Sequence, residues 1–198
     1  MSDGSSGRRA LLQSIVGVAQ AIFLAQAASI AVVDEEAGDF VFEAVSGAGE
    51  SIVGLRFPVG QGLAGYVAQS GEPLIIDDLS TDPRVARQLA EQTGYVPNAM
   101  MVAPLLQDER TLGVLEVLDR GQTGRSGFQE LQLLVRFADQ AAVALELSDV
   151  TRRSGEALGH GGASTALTAL ARRLDGLDGR RRAAAERLVE DLLELLAP

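Results

Sequence analysis

Between Ala10 and Val33 the chain carries no charge, and its apolar residues first recur at helical spacing. Leu12, Ile15, Val16, Ala19, Ile22 and Phe23 fall three and four apart with glutamines between them, which predicts an amphipathic helix. The run Ala28-Ser29-Ile30-Ala31-Val32-Val33 then reads as a buried strand that stops at Asp34-Glu35-Glu36. Phe40 to Val45 reads as its antiparallel partner across the turn at Gly38. Arg56-Phe57-Pro58-Val59 is short and carries a proline, so it is expected at a sheet edge. Leu63–Gln69 predicts a short helix stopped by Gly71 and Pro73, and Leu74-Ile75-Ile76 a brief strand. Ser80-Thr81-Asp82-Pro83 has the residues of a helix start, predicting a helix over 84–92.

The clearest hairpin is formed by residues 99–106 and 111–118 around the polar turn Gln107-Asp108-Glu109-Arg110. A loop over 121–127 precedes a long helix whose Leu131, Leu134, Ala138, Ala141 and Leu145 make one apolar seam. Helix, strands, short helices, strands and helix in this order predict an α+β domain on one antiparallel sheet. The glycine-rich stretch 154–163 reads as a linker, and two amphipathic helices are expected over 164–174 and 180–196. The expected organisation is thus a disordered segment 1–9, a domain 10–148, a linker 149–163 and a helical tail 164–198.

Composition narrows the chemistry. The 198 residues hold no cysteine, one histidine (His160) and no lysine among 17 basic residues. Disulfides, thiolate metal sites, cysteine nucleophiles, Schiff-base lysines and a P-loop lysine are thereby excluded, as is any His-His metal site. The net charge is -10 and unevenly placed: up to Asp149 there are 20 acidic residues against 9 arginines, and beyond it 7 against 8. Such a surface repels phosphate backbones, so no nucleic-acid partner is expected for the domain. Arg180-Arg181-Arg182 is the one basic cluster, and it is short for a nucleic-acid patch.

Arg8-Arg9 before an uncharged run, with Ala25-Gln26-Ala27 after it, imitates an export signal. The glutamines and the many alanines and glycines make the run too weakly apolar to span a membrane. An amphipathic helix, no membrane association and a cytoplasmic location are the expectation.

Gly60-Gln61-Gly62-Leu63-Ala64-Gly65 matches the spacing of a dinucleotide loop. The context does not fit, because Arg56 and Pro58 interrupt what should be a buried parallel strand and the following helix is short. A tight turn and close backbone packing explain these glycines better.

The same residues, continued through Tyr66-Val67-Ala68 and Gly71-Glu72-Pro73-Leu74-Ile75-Ile76-Asp77-Asp78, resemble the signature of GAF domains. The later strand Leu112–Leu118 and the helix segment Phe137-Ala138-Asp139-Gln140-Ala141-Ala142-Val143-Ala144 fit the pattern in the same order. This resemblance covers roughly residues 10 to 148. It implies a six-stranded antiparallel sheet with the terminal helices on one face, and short helices and loops roofing a small-molecule pocket on the other. It also implies a regulatory sensor, not an enzyme, with dimerisation through the terminal helices.

The ligand is not identified by the resemblance. Covalent bilin attachment and free methionine sulfoxide reduction need cysteines that the chain lacks. Haem binding needs a histidine within the domain, whereas His160 lies in the linker. The family's cyclic-nucleotide pattern is disfavoured: Gly121-Gln122 stand where Asn-Lys would, Phe128 matches, and Gln132-Leu133 replace Asp-Glu. On the family's geometry Ile76, Asp77, Asp78, Arg84, Tyr95, Asn98, Met100 and Met101 are expected to face the pocket. Asp78 and Arg84 would orient a small polar metabolite, with Tyr95 and the methionines as apolar wall. Each has a plain structural alternative, as strand end or solvated helix residue, and Asp77-Asp78 as paired catalytic carboxylates would point to opposite sheet faces. The expectation is a non-catalytic sensor that dimerises and signals in trans through its tail to a partner protein. The rival is an interaction scaffold with a filled cavity.

Overall fold

The computed structural model describes residues 3–108 and 110–158. Its elements are α1 (Asp3–Ile22), β1 (Ala27–Asp34), β2 (Asp39–Gly47), a single 3₁₀ turn (Glu50–Ile52) and β3 (Arg56–Pro58). There follow α2 (Gly62–Ser70), β4 (Leu74–Ile76), α3 (Arg87–Gln92), β5 (Met100–Gln107), β6 (Arg110–Leu118) and α4 (Gly127–Leu158). All strand pairings are antiparallel in the order β3-β2-β1-β6-β5-β4. The two edges are the three-residue strands β3 and β4, a length that leaves little unpaired edge to template aggregation.

Strand parity sorts the residues between two layers. On one face lie Ala28, Ile30, Ala44, Met101, Ala103, Leu105, Leu115 and Val117, all buried. The apolar stripes Leu12, Val16 and Ala19 of α1 and Leu134, Ala138 and Ala141 of α4 are fully buried with them. Phe23 meets Phe137 edge to face at 6.3 Å between ring centroids. The glutamines that interrupt the α1 stripe find backbone partners. Gln13 Nε2 donates to the Val45 carbonyl at 2.7 Å, and Gln20 Nε2 to that of Gln26 at 3.3 Å.

The other face carries Ala31, Phe40, Phe42, Val45, Val102 and Val114 under the buried side of α2, Leu63, Ala64 and Val67. Three of these come from β2 out of strict alternation. Ile30 pairs with Ala44 but Ala31 with Phe42, so Glu43 is an extra residue that resets the parity. Phe57 from β3 closes this corner at 5.1 Å from both Phe40 and Phe42.

Three expectations shift. The segment 3–9, expected to be disordered, is helical and continues α1, and 149–158, expected to begin the linker, continues α4. Scattered glycines such as Gly7 and Gly155 each cost a helix only about 1 kcal/mol, so they do not break it. The helix expected over 84–92 begins at Arg87, because Asp82 holds the Arg84 backbone amide at 2.9 Å in a turn. Residues 159–163 of the linker and the tail helices lie outside the described residues.

The described residues fall into two units, 9–142 with the whole sheet, and 3–8 with 143–158. In the second, Arg8 and Asp149 form an ion pair at 3.6 Å.

Candidate functional site

A cavity of about 90 Å³ lies between the sheet and its roof. Its floor is Ala27 and Ser29 of β1, Phe42 and Val45 of β2, Met100 of β5, and Glu116 and Leu118 of β6. The roof is Leu63 and Ala64 of α2, Val85 and Ala86, Leu89 and Ala90 of α3, and the segment with Thr93, Tyr95 and Pro97. An apolar cavity of about 150 Å³ takes a benzene ring, so the occupant of this one is smaller unless the roof moves.

The roof approaches closely because of two glycines of the Gly60–Gly65 run. Gly62 has φ +73°, a left-handed conformation that starts α2 sharply. A Cβ on Gly65 would lie 2.6 Å from the Val59 carbonyl oxygen, so only glycine lets the helix meet the preceding loop. The run serves the turn and the packing, as its context indicated.

The far rim of the roof is tied to the sheet by Asp119, directly after β6. Its Oδ1 accepts the backbone amides of Asn98 and Ala99, both at 2.8 Å, and its Oδ2 accepts the Tyr95 hydroxyl. The Asp119 amide returns a bond to the Ala99 carbonyl at 2.9 Å. Asp119 has φ 48°, a conformation that aspartate tolerates better than most residues. Burial and the adjacent carboxylate hold the Tyr95 phenol neutral, well above the usual tyrosine range.

On the floor stands a carboxyl group in an otherwise apolar setting. Glu116 is buried, and the Ser29 hydroxyl donates to its Oε2 at 2.7 Å. Ser29 and Glu116 are direct partners in the β1–β6 ladder, so the sheet register itself makes the pair. Glu116 has no basic partner among the described residues, and burial pushes its carboxyl above the ordinary glutamate range, partly offset by the Ser29 bond. The sequence reading passed over it. Its signal was a lone carboxylate in the apolar run Leu112–Leu118, placed by parity beside Val114 and Leu118.

Of the residues expected at the pocket, Tyr95 and Met100 line the cavity. Met101 is on the opposite face, fully buried, because neighbours on a strand point apart. Ile76 packs at the margin of the apolar cluster beneath the roof. Asp77 is largely exposed and bonds Arg120 at 2.7 Å. Asp78 closes a turn on the Ser80 amide at 2.9 Å; the Ser80 hydroxyl and amide hold its carboxyl below the usual range. Arg84 pairs with Asp82 at 2.7 Å and covers the Tyr66 ring at 4.7 Å. That pairing lowers the Asp82 carboxyl to about 2. Asn98 serves through its backbone, accepting the Leu79 amide at 2.8 Å. Asp78 and Arg84 are thus occupied in turns outside the cavity, whose polar lining is Ser29, Gln61, Thr93, Tyr95 and Glu116, the last its one acidic group. His160 and Arg180-Arg181-Arg182 lie outside the described residues.

A basic-acidic pair does join the loop after β6 to α4, just upstream of Gly121-Gln122 and Gln132-Leu133. Arg120 Nε donates to Glu130 Oε2 at 2.6 Å and its Nη2 to Asp77, while the Thr123 hydroxyl donates to Glu130 Oε1 at 2.5 Å. No group of potential metal ligands occurs among the described residues, nor a helix long and apolar enough to cross a membrane.

Comparison with known proteins agrees with this architecture. The GAF domain of a phosphoenolpyruvate-protein phosphotransferase from Coxiella burnetii superposes with TM-score 0.65 at 23% identity, covering 77% of this chain and 88% of that one. Free methionine-R-sulfoxide reductase from Neisseria meningitidis, solved with its substrate, gives TM-score 0.55 at 20% identity over 69% and 78% of the two chains. The probable 3',5'-cyclic phosphodiesterase pde-5 of Caenorhabditis elegans is 28% identical over 102 residues, 50% of this chain but 14% of that protein. The chain thus matches only a small part of the length of such curated relatives. The family model for the GAF domain matches residues 7–145. With that match over most of its length and this fold, the chain belongs to the GAF domain family, a family of regulatory and sensor domains.

Proposed function

We propose that this GAF domain is a non-catalytic sensor that takes a small molecule in the cavity over Glu116. The observation that carries the reading is the buried carboxyl on an apolar floor. Burying it costs free energy that an aliphatic side chain would not cost. The fold gains from it only one side-chain hydrogen bond, to Ser29. A polar anchor inside an apolar, roofed cavity is the arrangement by which small ligands are oriented.

In the same reading the protein is cytoplasmic and dimerises through its terminal helices. Val18 and Ile22, one turn apart on α1 and partly exposed, support an interface there. The tail over 164–198 carries the signal in trans to a protein partner, with no nucleic acid or membrane involved. Occupancy would bias two arrangements of the helices, which requires the ligand to bind one of them more tightly. Native mass spectrometry of freshly purified protein tests this by weighing both copy number and any retained molecule. A dimer with a small-molecule adduct is expected. The cavity's small volume favours a second reading, a scaffold that binds nothing; a bare mass, together with tail hydrogen exchange indifferent to every compound offered, would establish that one.

A further inference from the structure

We propose that the ligand of this cavity is a small apolar body bearing one protonated nitrogen, and that Glu116 is its counter-ion. The inference rests on the sensor reading above and adds the chemical class of the ligand.

Three observations support it. First, Glu116 lines the cavity while 6% exposed, its one side-chain bond is to Ser29, and it has no cationic partner among the described residues. A buried carboxyl either keeps its proton or takes a partner of opposite charge, and the side of Glu116 left open to such a partner is the cavity. Second, the cavity lining contains no arginine to balance an anion. Its neutral donors besides Ser29 are Gln61, Thr93 and Tyr95, of which the Thr93 hydroxyl already faces backbone carbonyls and the Tyr95 hydroxyl Asp119. A carboxylate or phosphate ligand would therefore meet Glu116 with no cation beside it. Third, the rings of Phe42, Phe57 and Tyr95 line the same space, and aromatic faces attract ammonium groups. The chain's net charge of -10 also raises the concentration of cations at its surface.

The charge of the ligand sets the sign of the pH dependence. Tyr95 is the only other titratable side chain among the described residues of the lining, and it stays neutral. The ladder neighbours of Glu116 are Ser29 on β1 and Val102 on β5, and neither titrates. An ammonium binds the ionised carboxyl, so in the empty protein a proton must first leave Glu116. Affinity therefore rises with pH through the range in which Glu116 ionises and levels off above it. A neutral ligand accepting the acid proton shows the opposite slope.

The test titrates the full chain with isobutylamine, isobutanol and isobutyrate by calorimetry at about pH 5.5 and about pH 8.5, where the amine stays protonated. Amide shifts of Ser29, Tyr95 and Glu116 report binding in the cavity. The expected result is amine binding at least about tenfold tighter than isobutanol at the higher pH, consistent with a desolvated charge pair. That advantage shrinks at the lower pH and disappears in Glu116→Gln. If this variant does not fold, the pH slope of the unmodified protein decides alone. Equal or tighter binding of isobutanol or isobutyrate, the opposite slope, or a preference that survives Glu116→Gln overturns the ammonium assignment and leaves the sensor reading standing. Binding of none of the three also overturns the assignment. The sensor reading falls with it only when native mass spectrometry finds no retained molecule.

Discussion

Replacing Asp119 by alanine should loosen the cavity roof far more than its place in a loop suggests. The side chain accepts two backbone amides at 2.8 Å and the Tyr95 hydroxyl. Hydrogen bonds to a charged acceptor contribute about 1.5–3 kcal/mol each when isolated, but these three share one half-buried carboxylate and are not additive. Alanine also holds φ 48° less readily than aspartate, at a cost of about 1 kcal/mol. A loss of about 3 kcal/mol is the reasonable sum, which for a domain of this size lowers Tm by roughly 10 °C. Asp119→Asn keeps the backbone conformation and one acceptor oxygen and should lose about a third as much. The assay is thermal unfolding combined with hydrogen exchange at the Asn98 and Ala99 amides. These amides should exchange faster in Asp119→Ala than the global loss explains, since the roof opens before the sheet. A change under about 0.5 kcal/mol, the scatter of ordinary surface substitutions, or unaltered exchange at those two amides, would refute the latch.

Three further outcomes follow from the same contacts. Arg120→Ala leaves the buried Glu130 carboxylate with only Thr123 and should cost about 3 kcal/mol, whereas Asp77→Ala at the exposed end of the same bridge should cost under about 1 kcal/mol; chemical denaturation separates the two. Because Glu116 holds its proton above the pH at which the unfolded chain releases it, its contribution is full below the ordinary glutamate range and is lost as pH rises through the native value; Glu116→Gln, followed by unfolding across pH, should remove that decline. Gly65→Ala places a Cβ against backbone and should destabilise strongly, while Gly17→Ala, inside α1 with nothing within 4 Å, should stabilise by up to about 1 kcal/mol; thermal melts of the pair check the contrast.

The strands were legible because their residues alternate or run apolar between turn signals, and the edge position of Arg56–Pro58 followed from its proline. The bulge at Glu43 was not, since Phe40-Val41-Phe42-Glu43-Ala44-Val45 reads as plain alternation until pairing with β1 is known. The start of α3 was misplaced by its capping residues. Asp82 satisfies Arg84 in a turn, and a side chain able to start a helix is equally able to stop one. Tyr95 and Met100 were found through the family resemblance, which locates segments but not side-chain directions; hence Met101 was placed on the wrong face. Glu116 needed two things the linear chain does not display, the register opposite Ser29 and the roof that takes it out of water.

The measurement that tests the cavity most directly is a crystal structure of the protein purified without added ligands, at a resolution that places non-protein atoms. The account predicts a compact molecule, with no roof side chain in its place, bounded by Glu116, Tyr95 and Met100. A cavity closed by repacked Met100, Leu63 and Leu89, with the Glu116 carboxyl paired to a protein cation, would contradict it.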